Sequence, residues 1–179
     1  DQEMAFARSR NALVSGQLAG KTLNDDVARV CTEYGFCPAD KVSWSVSKTM
    51  EYAWAARSLA AWARQLDRPT DEIATFDKIG SNYKNLWNAE LSFFVPRLSD
   101  DSWRTPWVSW RYGWFDMLRF LDDFAEGTPR QWLWNTPDAA YELVEVLGGS
   151  ERFVARLTEF MEGMTETRGA LFPGIDYWH

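Results

Sequence analysis

Carboxylates and aromatic rings are the groups in this sequence that could do chemistry. Its 179 residues include 26 Asp and Glu, 11 Trp, 11 Phe and 6 Tyr, against a single His at the last position, His179. A Ser-His-Asp triad would have to use that terminal His. There is no G-x-S-x-G, no Gly-rich phosphate loop and no His-based metal motif. One chemistry needs only the residue types that remain. Glycoside hydrolysis uses two carboxyl groups flanking the scissile bond, one as acid and one as base, in a site with stacking surfaces. The abundant Trp would suit either such a site or the packing between large helices. Glu126 stands out by position. It lies between the amphipathic run ending at Phe124 and Gly127, and Thr128-Pro129-Arg130-Gln131-Trp132 follows it. A carboxyl group at a helix–loop junction can reach into a cleft, where a neighbouring indole would raise its pKa towards a general acid's range. An ordinary solvated Glu at a helix end has the same signature.

The elements that must position these groups read as helices. Residues 4–18 form a first amphipathic stretch, and Asn24 caps a second that ends at Tyr34-Gly35. Ser47 is an N-cap candidate for a long helix whose stripe is Tyr52, Ala55, Leu59, Trp62 and Leu66, at spacings of three and four. After Asp67-Arg68-Pro69, Thr70 caps a helix with Asp71 and Glu72 in its first turn and the stripe Ile73, Phe76, Gly80, Tyr83, Trp87. Residues 88–112 read as a long loop holding Trp103, Trp107 and Trp110, and a loop of that length is usually functional. A helix through Trp114, Met117, Leu118, Leu121 and Phe124 follows, then one starting at Thr136-Pro137 and ending at Gly148-Gly149. Ser150 caps the last, with Phe153, Leu157 and Phe160 inward. No β-alternation is evident. Helices paired through loops predict an all-α chain, either part of an (α/α)6 toroid of helical hairpins or a plain bundle.

Three segments resemble the catalytic domain of the glycoside hydrolase family 92 α-mannosidases, over about residues 34–179. Val46-Ser47-Lys48-Thr49-Met50-Glu51-Tyr52-Ala53, preceded by Tyr34-Gly35-Phe36-Cys37-Pro38-Ala39-Asp40, is similar to the family's S-x-T-L-E-Y-A helix start. Asn82-Tyr83-Lys84-Asn85-Leu86-Trp87, then Phe94-Val95-Pro96-Arg97 and Asp101-Ser102-Trp103, resembles N-Y-K-N-L-F…M-R-P-R…D-G-S-W. Glu126-Gly127-Thr128-Pro129-Arg130-Gln131-Trp132 resembles E-G-N-A-W-Q-Y, and Leu147-Gly148-Gly149 with Phe153 matches L-G-G-x-x-x-F.

The resemblance implies a calcium-dependent, inverting exo-α-mannosidase acting on α-mannoside glycans. Glu126 matches the general acid's motif. Gln131 matches a position at the sugar or calcium site, and Trp132, Trp103 and Glu51 are further substrate-binding candidates. Three departures touch polar groups that orient substrate. Trp54-Ala55-Ala56 stands where the family usually has an Asp pair, Thr128-Pro129-Arg130 replaces N-A-W, and Pro137-Asp138-Ala139 replaces P-H-D. The family's G-N-E-P and base segment would lie beyond Tyr177-Trp178-His179. The expectation is a single segment, 1–179, of a toroid domain incomplete at its C-terminal end and completed by a second polypeptide that supplies the base. The alternative is an inactive carbohydrate-binding or structural subunit.

Composition removes other classes. A formal net charge of −7 argues against binding a phosphate backbone, so no nucleic-acid partner is expected. No apolar run reaches the roughly 18–20 residues of a membrane span. Cys31 and Cys37 are either two buried thiols or a local disulfide. A disulfide, a first residue other than Met and the secreted or periplasmic habit of such relatives would together suit an extracytoplasmic compartment.

Overall fold

The structure, a computed structural model, describes residues 1–15, 17–18, 21–22, 25–105, 123–125, 127–136 and 140–165. The described chain is all-α apart from two minimal hairpins. Helix α1 (Gln2–Ser15) is followed by the strand pair β1 (Gln17–Leu18) and β2 (Lys21–Thr22), then α2 (Asp25–Tyr34). Next come α3 (Ser45–Gln65), α4 (Thr70–Gly80) and a 3₁₀ turn (Asn82–Leu86). A second hairpin pairs β3 (Trp87–Asn88) with β4 (Phe93–Phe94), with Trp87 opposite Phe94. The single turn α5 (Pro129–Trp132), then α6 (Ala140–Val146) and α7 (Ser150–Thr165), complete it. Two-residue strands are too short to show alternation, which is why the sequence gives no sign of them. The helix expected over Trp114–Phe124 falls almost wholly outside the described residues, as does the Pro137 start; Asp123, Phe124 and Ala125 form a bend.

Helix α3 is the spine. Short loops fold α4 back onto it and α7 onto α6, giving the helical hairpins expected from the sequence. The face α3 buries matches the expected stripe only in part: Leu59 is buried, and Tyr52, Trp62 and Leu66 pack against the same core from its edge. Its buried residues include Met50, Ala53, Ala56, Ala60 and Ala63, whereas Ala55 is exposed and Tyr52 and Trp62 are half-buried. Small side chains let neighbouring helices approach closely, and the larger ones then flank the seam. Gly80 marks the closest approach. A Cβ there would lie 2.7 Å from Arg57 Cγ, and Arg57 Nε donates to the Gly80 carbonyl (2.9 Å).

Two cores flank the spine. In one, Phe6 of α1 is plugged between α3 and α4, its ring edge-on to Trp62 (5.5 Å) and Phe76 (6.1 Å). The other gathers Met50, Tyr83, Phe94, Phe124 and Leu143, with Trp87, Trp103, Trp132 and Trp134 packed against it. Much of the described Trp therefore does structural work. Thr70 is the first helical residue of α4 rather than its cap, which is Pro69. No helix among the described residues is long and apolar enough to cross a membrane.

Cys31, at the end of α2, and Cys37 are joined by a disulfide. It staples α2 to the segment leading into α3, where the Cys37 N–H donates to Thr49 Oγ1 (2.9 Å). Closing so short a loop restricts the unfolded chain by about 2 kcal/mol. A Cys31→Ala, Cys37→Ala double variant is expected to lose about that much stability in urea titration. Unchanged stability would mean the bridge contributes nothing to the fold.

Candidate functional site

The site is built on the N-terminus of α3. That helix has no side-chain cap: the residue before it, Trp44, sits at φ 56°, ψ 40°. The cap comes from far along the chain. The Asp123 carbonyl accepts from the N–H groups of Val46 (3.0 Å) and Ser47 (3.4 Å), and Ser45 Oγ donates to Asp123 Oδ1 (3.0 Å). Arg104 pairs with Asp123 Oδ2 (3.3 Å), so this buried carboxylate is neutralised by a cation and a hydroxyl. Ser47, expected as the cap, sits inside the first turn. Its Oγ instead accepts from the Ala125 N–H (2.7 Å).

The segment after Asp123 is gripped repeatedly. The Trp132 indole N–H donates to the Ala125 carbonyl (2.9 Å), so Ala125 is held on both its backbone groups. Thr128 and Gln131 form a capping box for α5. Gln131 N–H donates to Thr128 Oγ1 (3.1 Å) and Thr128 N–H donates to Gln131 Oε1 (2.7 Å). Pro129 supplies the first helical position, where its missing N–H costs nothing.

Between the two runs lies an open cleft of about 550 Å³. Trp44, Ser47, Lys48 and Glu51 line it from the start of α3; Ala125, Gly127, Gln131, Trp132 and Asn135 line it from the opposite segment. Three of the sequence candidates, Glu51, Gln131 and Trp132, are thus brought together. Glu126 lies outside the described residues, but its chain neighbours on both sides, Ala125 and Gly127, line the cleft. Trp103 is placed elsewhere. It bridges to Arg97 and packs on the core, with the Arg97 guanidinium 5.3 Å from its ring centre.

A family model for the glycosyl hydrolase family 92 catalytic domain matches residues 4–175. The chain belongs to that family. Solved family 92 structures share its fold. One is the inverting mannosidase BT2199 of Bacteroides thetaiotaomicron VPI-5482, 23% identical at TM-score 0.77, covering 96% of this chain and 21% of that one. Another is the α-mannosidase BT3965 of Bacteroides thetaiotaomicron, 28% identical at TM-score 0.76 over 100% of this chain and 21% of its own. The same enzyme in complex with mannoimidazole is 28% identical at TM-score 0.77, over 97% and 21%. This chain therefore spans about a fifth of the length of the family 92 structures it matches. The comparison with curated proteins found no match.

Several residues of this family 92 cleft were not singled out in the sequence: Trp44, Lys48 and Asn135, with Ser47 known only as a cap candidate. Lys48 and Glu51 had a usable signal, since they sit within the motif that resembles the family's helix start. Neither takes part in an ion pair among the described residues, and burial lowers the Lys48 pKa. Its ammonium lies 5.5 Å from the Trp44 ring centre. Trp44 is 45% exposed, and holding a bulky residue in the left-handed region costs about 1–2 kcal/mol.

The described residues do not assemble a calcium site by themselves. Calcium takes six to eight oxygen ligands, weighted to carboxylates. The described cleft is lined by one carboxylate, Glu51, and one ammonium, Lys48. No cluster of three metal-binding side chains occurs among the described residues. The Gln131 side-chain oxygen, implied as a ligand, accepts from Thr128 N–H with one lone pair, which leaves its second lone pair and its amide N–H₂ for the cleft.

Proposed function

We propose that this chain forms the acid-bearing part of an inverting exo-α-mannosidase. The observation that carries this reading is the bracketing of Glu126 by two cleft-lining residues, Ala125 and Gly127, in a family 92 chain. In this reading Glu126 protonates the leaving glycosidic oxygen, while a base from the rest of the toroid activates water on the far side of the sugar ring. Gln131 and Asn135 present amides to the sugar hydroxyls. Glu51 accepts from a hydroxyl. The chain's share of its relatives' length supports placing the base outside it, on the same or a separate polypeptide. The mannoimidazole complex of the similar α-mannosidase supports mannoside as the ligand. The disulfide supports an extracytoplasmic setting.

The test is mannose release from α-mannosides by the assembled domain, with the anomer first formed read by NMR. Direct release of β-mannose supports inversion. No mannose, or α-mannose first, overturns it. A second reading, a catalytically silent sugar-binding module, is favoured by Trp54-Ala55-Ala56, where carboxylates that would orient substrate are replaced by side chains without hydrogen-bonding capacity for a hydroxyl rim, the Trp54 indole N–H apart. Mannoside binding without turnover would select it.

A further inference from the structure

We propose that Trp44 is the stacking platform of the cleft, the residue on which the apolar face of a neutral hexopyranose rests; this deepens the mannosidase reading and rests on it. Three independent features converge on this one side chain. It lines the cleft from the start of α3, opposite Trp132 and Gln131. It is 45% exposed and belongs to none of the hydrophobic cores, so the fold gains little from its bulk. Its backbone is held at φ 56°, a conformation that Gly would adopt without strain. A strained backbone carrying an exposed indole is an arrangement that folding alone does not call for, and such strain clusters where ligands are clamped.

The local chemistry suits a sugar. A pyranose has a rim of hydroxyls and faces of C–H groups whose hydrogens carry partial positive charge. An indole face is the negative side of its quadrupole and attracts them. Lys48, one turn along α3, places its ammonium 5.5 Å from the Trp44 ring centre and so holds the ring against rotation. The rim hydroxyls would meet Gln131, Asn135 and Glu51, which share the cleft. A sugar seated this way is oriented by its flat face at Trp44 and by its hydroxyls at the opposite wall.

The experiment compares the parent protein with Trp44→Gly, Trp44→Phe and Tyr141→Ala. Tyr141 is a built-in control, since it is an aromatic side chain 88% exposed that does not line the cleft. Binding of methyl α-mannoside is followed by calorimetry and by ligand-observed NMR, and each variant's Tm is recorded. Trp44→Gly is expected to weaken binding about tenfold or more while its Tm stays level or rises, because the strain is relieved. Trp44→Phe is expected to recover part of the affinity, and Tyr141→Ala to leave it unchanged. The proposal is overturned if Trp44→Gly binds as the parent does, or if its Tm drops by several degrees, which would make Trp44 a fold residue. If the parent ignores methyl α-mannoside, the mannosidase reading fails separately. The same variants are then titrated with gluco- and galactopyranosides. Trp44-dependent binding of one of these keeps the platform, and binding of none removes it.

Discussion

Glu126→Gln in the assembled domain is expected to lower kcat about 10³-fold on α-mannosides with poor leaving groups, such as methyl α-mannoside or a disaccharide. On 2,4-dinitrophenyl α-mannoside the loss should stay within about tenfold. A sugar or methanol leaves only if its oxygen is protonated as the bond breaks, whereas an acidic phenol departs as its anion. The contrast between substrates therefore reports the acid itself, not damage to the fold. Gln keeps the size of Glu but carries no transferable proton, so the fall in activity with rising pH that marks an acid should also disappear. Equal losses on both substrates, or none on either, would remove Glu126 from the acid's role. The hydrogen bonds at Ala125 predict a graded version of the same pattern. Ser47→Ala and Trp132→Phe each delete one of the two hydrogen bonds holding the Ala125 backbone. Each should lower kcat about tenfold with the same leaving-group dependence, and Ser47→Thr should restore it by keeping the hydroxyl.

These contacts show where sequence reasoning stops. Helix existence was legible because periodic apolar positions and breakers are local: the turn at Gly35 and the Gly148-Gly149 break fall where expected, and α4 and α7 begin at Thr70 and Ser150. The buried face of α3 was legible only at Leu59. Apolar size pointed to Tyr52, Trp62 and Leu66, but helix packing selected Ala53, Ala56, Ala60 and Ala63 for their smallness. Residue type also misplaced a role. Ser47 has the chemistry of a cap, yet the cap is a backbone carbonyl at Asp123, and the serine was left free to grip Ala125. Partners separated by 78 residues leave no trace in local spacing. The cleft was legible only through motifs. Glu51, Gln131 and Trp132 sit in segments that resemble a family pattern, whereas Trp44 lies outside the quoted motifs and is identified by its backbone conformation and exposure alone.

Glu142→Ala is expected to destabilise the chain by about 2–3 kcal/mol, a fall of roughly 5–10 °C in Tm. Glu142 of α6 ties three elements together. Arg57 of α3 donates to both its oxygens (2.8 Å each), Lys84 of the 3₁₀ turn lies 2.7 Å from Oε2, and the Tyr83 hydroxyl donates to Oε2 (2.8 Å). Removing the carboxylate leaves a partly buried guanidinium and the phenol of a buried tyrosine without this acceptor, and that penalty exceeds the worth of the ion pair itself. Burial works against ionisation of Glu142, but the hydrogen bonds from Arg57, Lys84 and Tyr83 outweigh it and bring its pKa from 4.5 down to about 2. Burial, then the same hydrogen bond, pushes the Tyr83 hydroxyl up, so it remains a donor at any working pH. The sign of the pH effect follows. A carboxyl whose folded pKa is depressed stabilises the fold in full above its unfolded value and loses that contribution as pH falls through the folded one. The gap in stability between parent and Glu142→Gln should therefore be constant near neutral pH, shrink from pH 4.5 downwards, and close by about pH 2. The carboxylate is 31% exposed, so solvent screening keeps the pH-dependent part to about 2 kcal/mol. Urea titrations of both proteins across that range measure it. A gap that stays constant from pH 6 to pH 2 would mean the charge is not what α6 contributes, and that its grip on α3 comes from Leu143 and the apolar core alone.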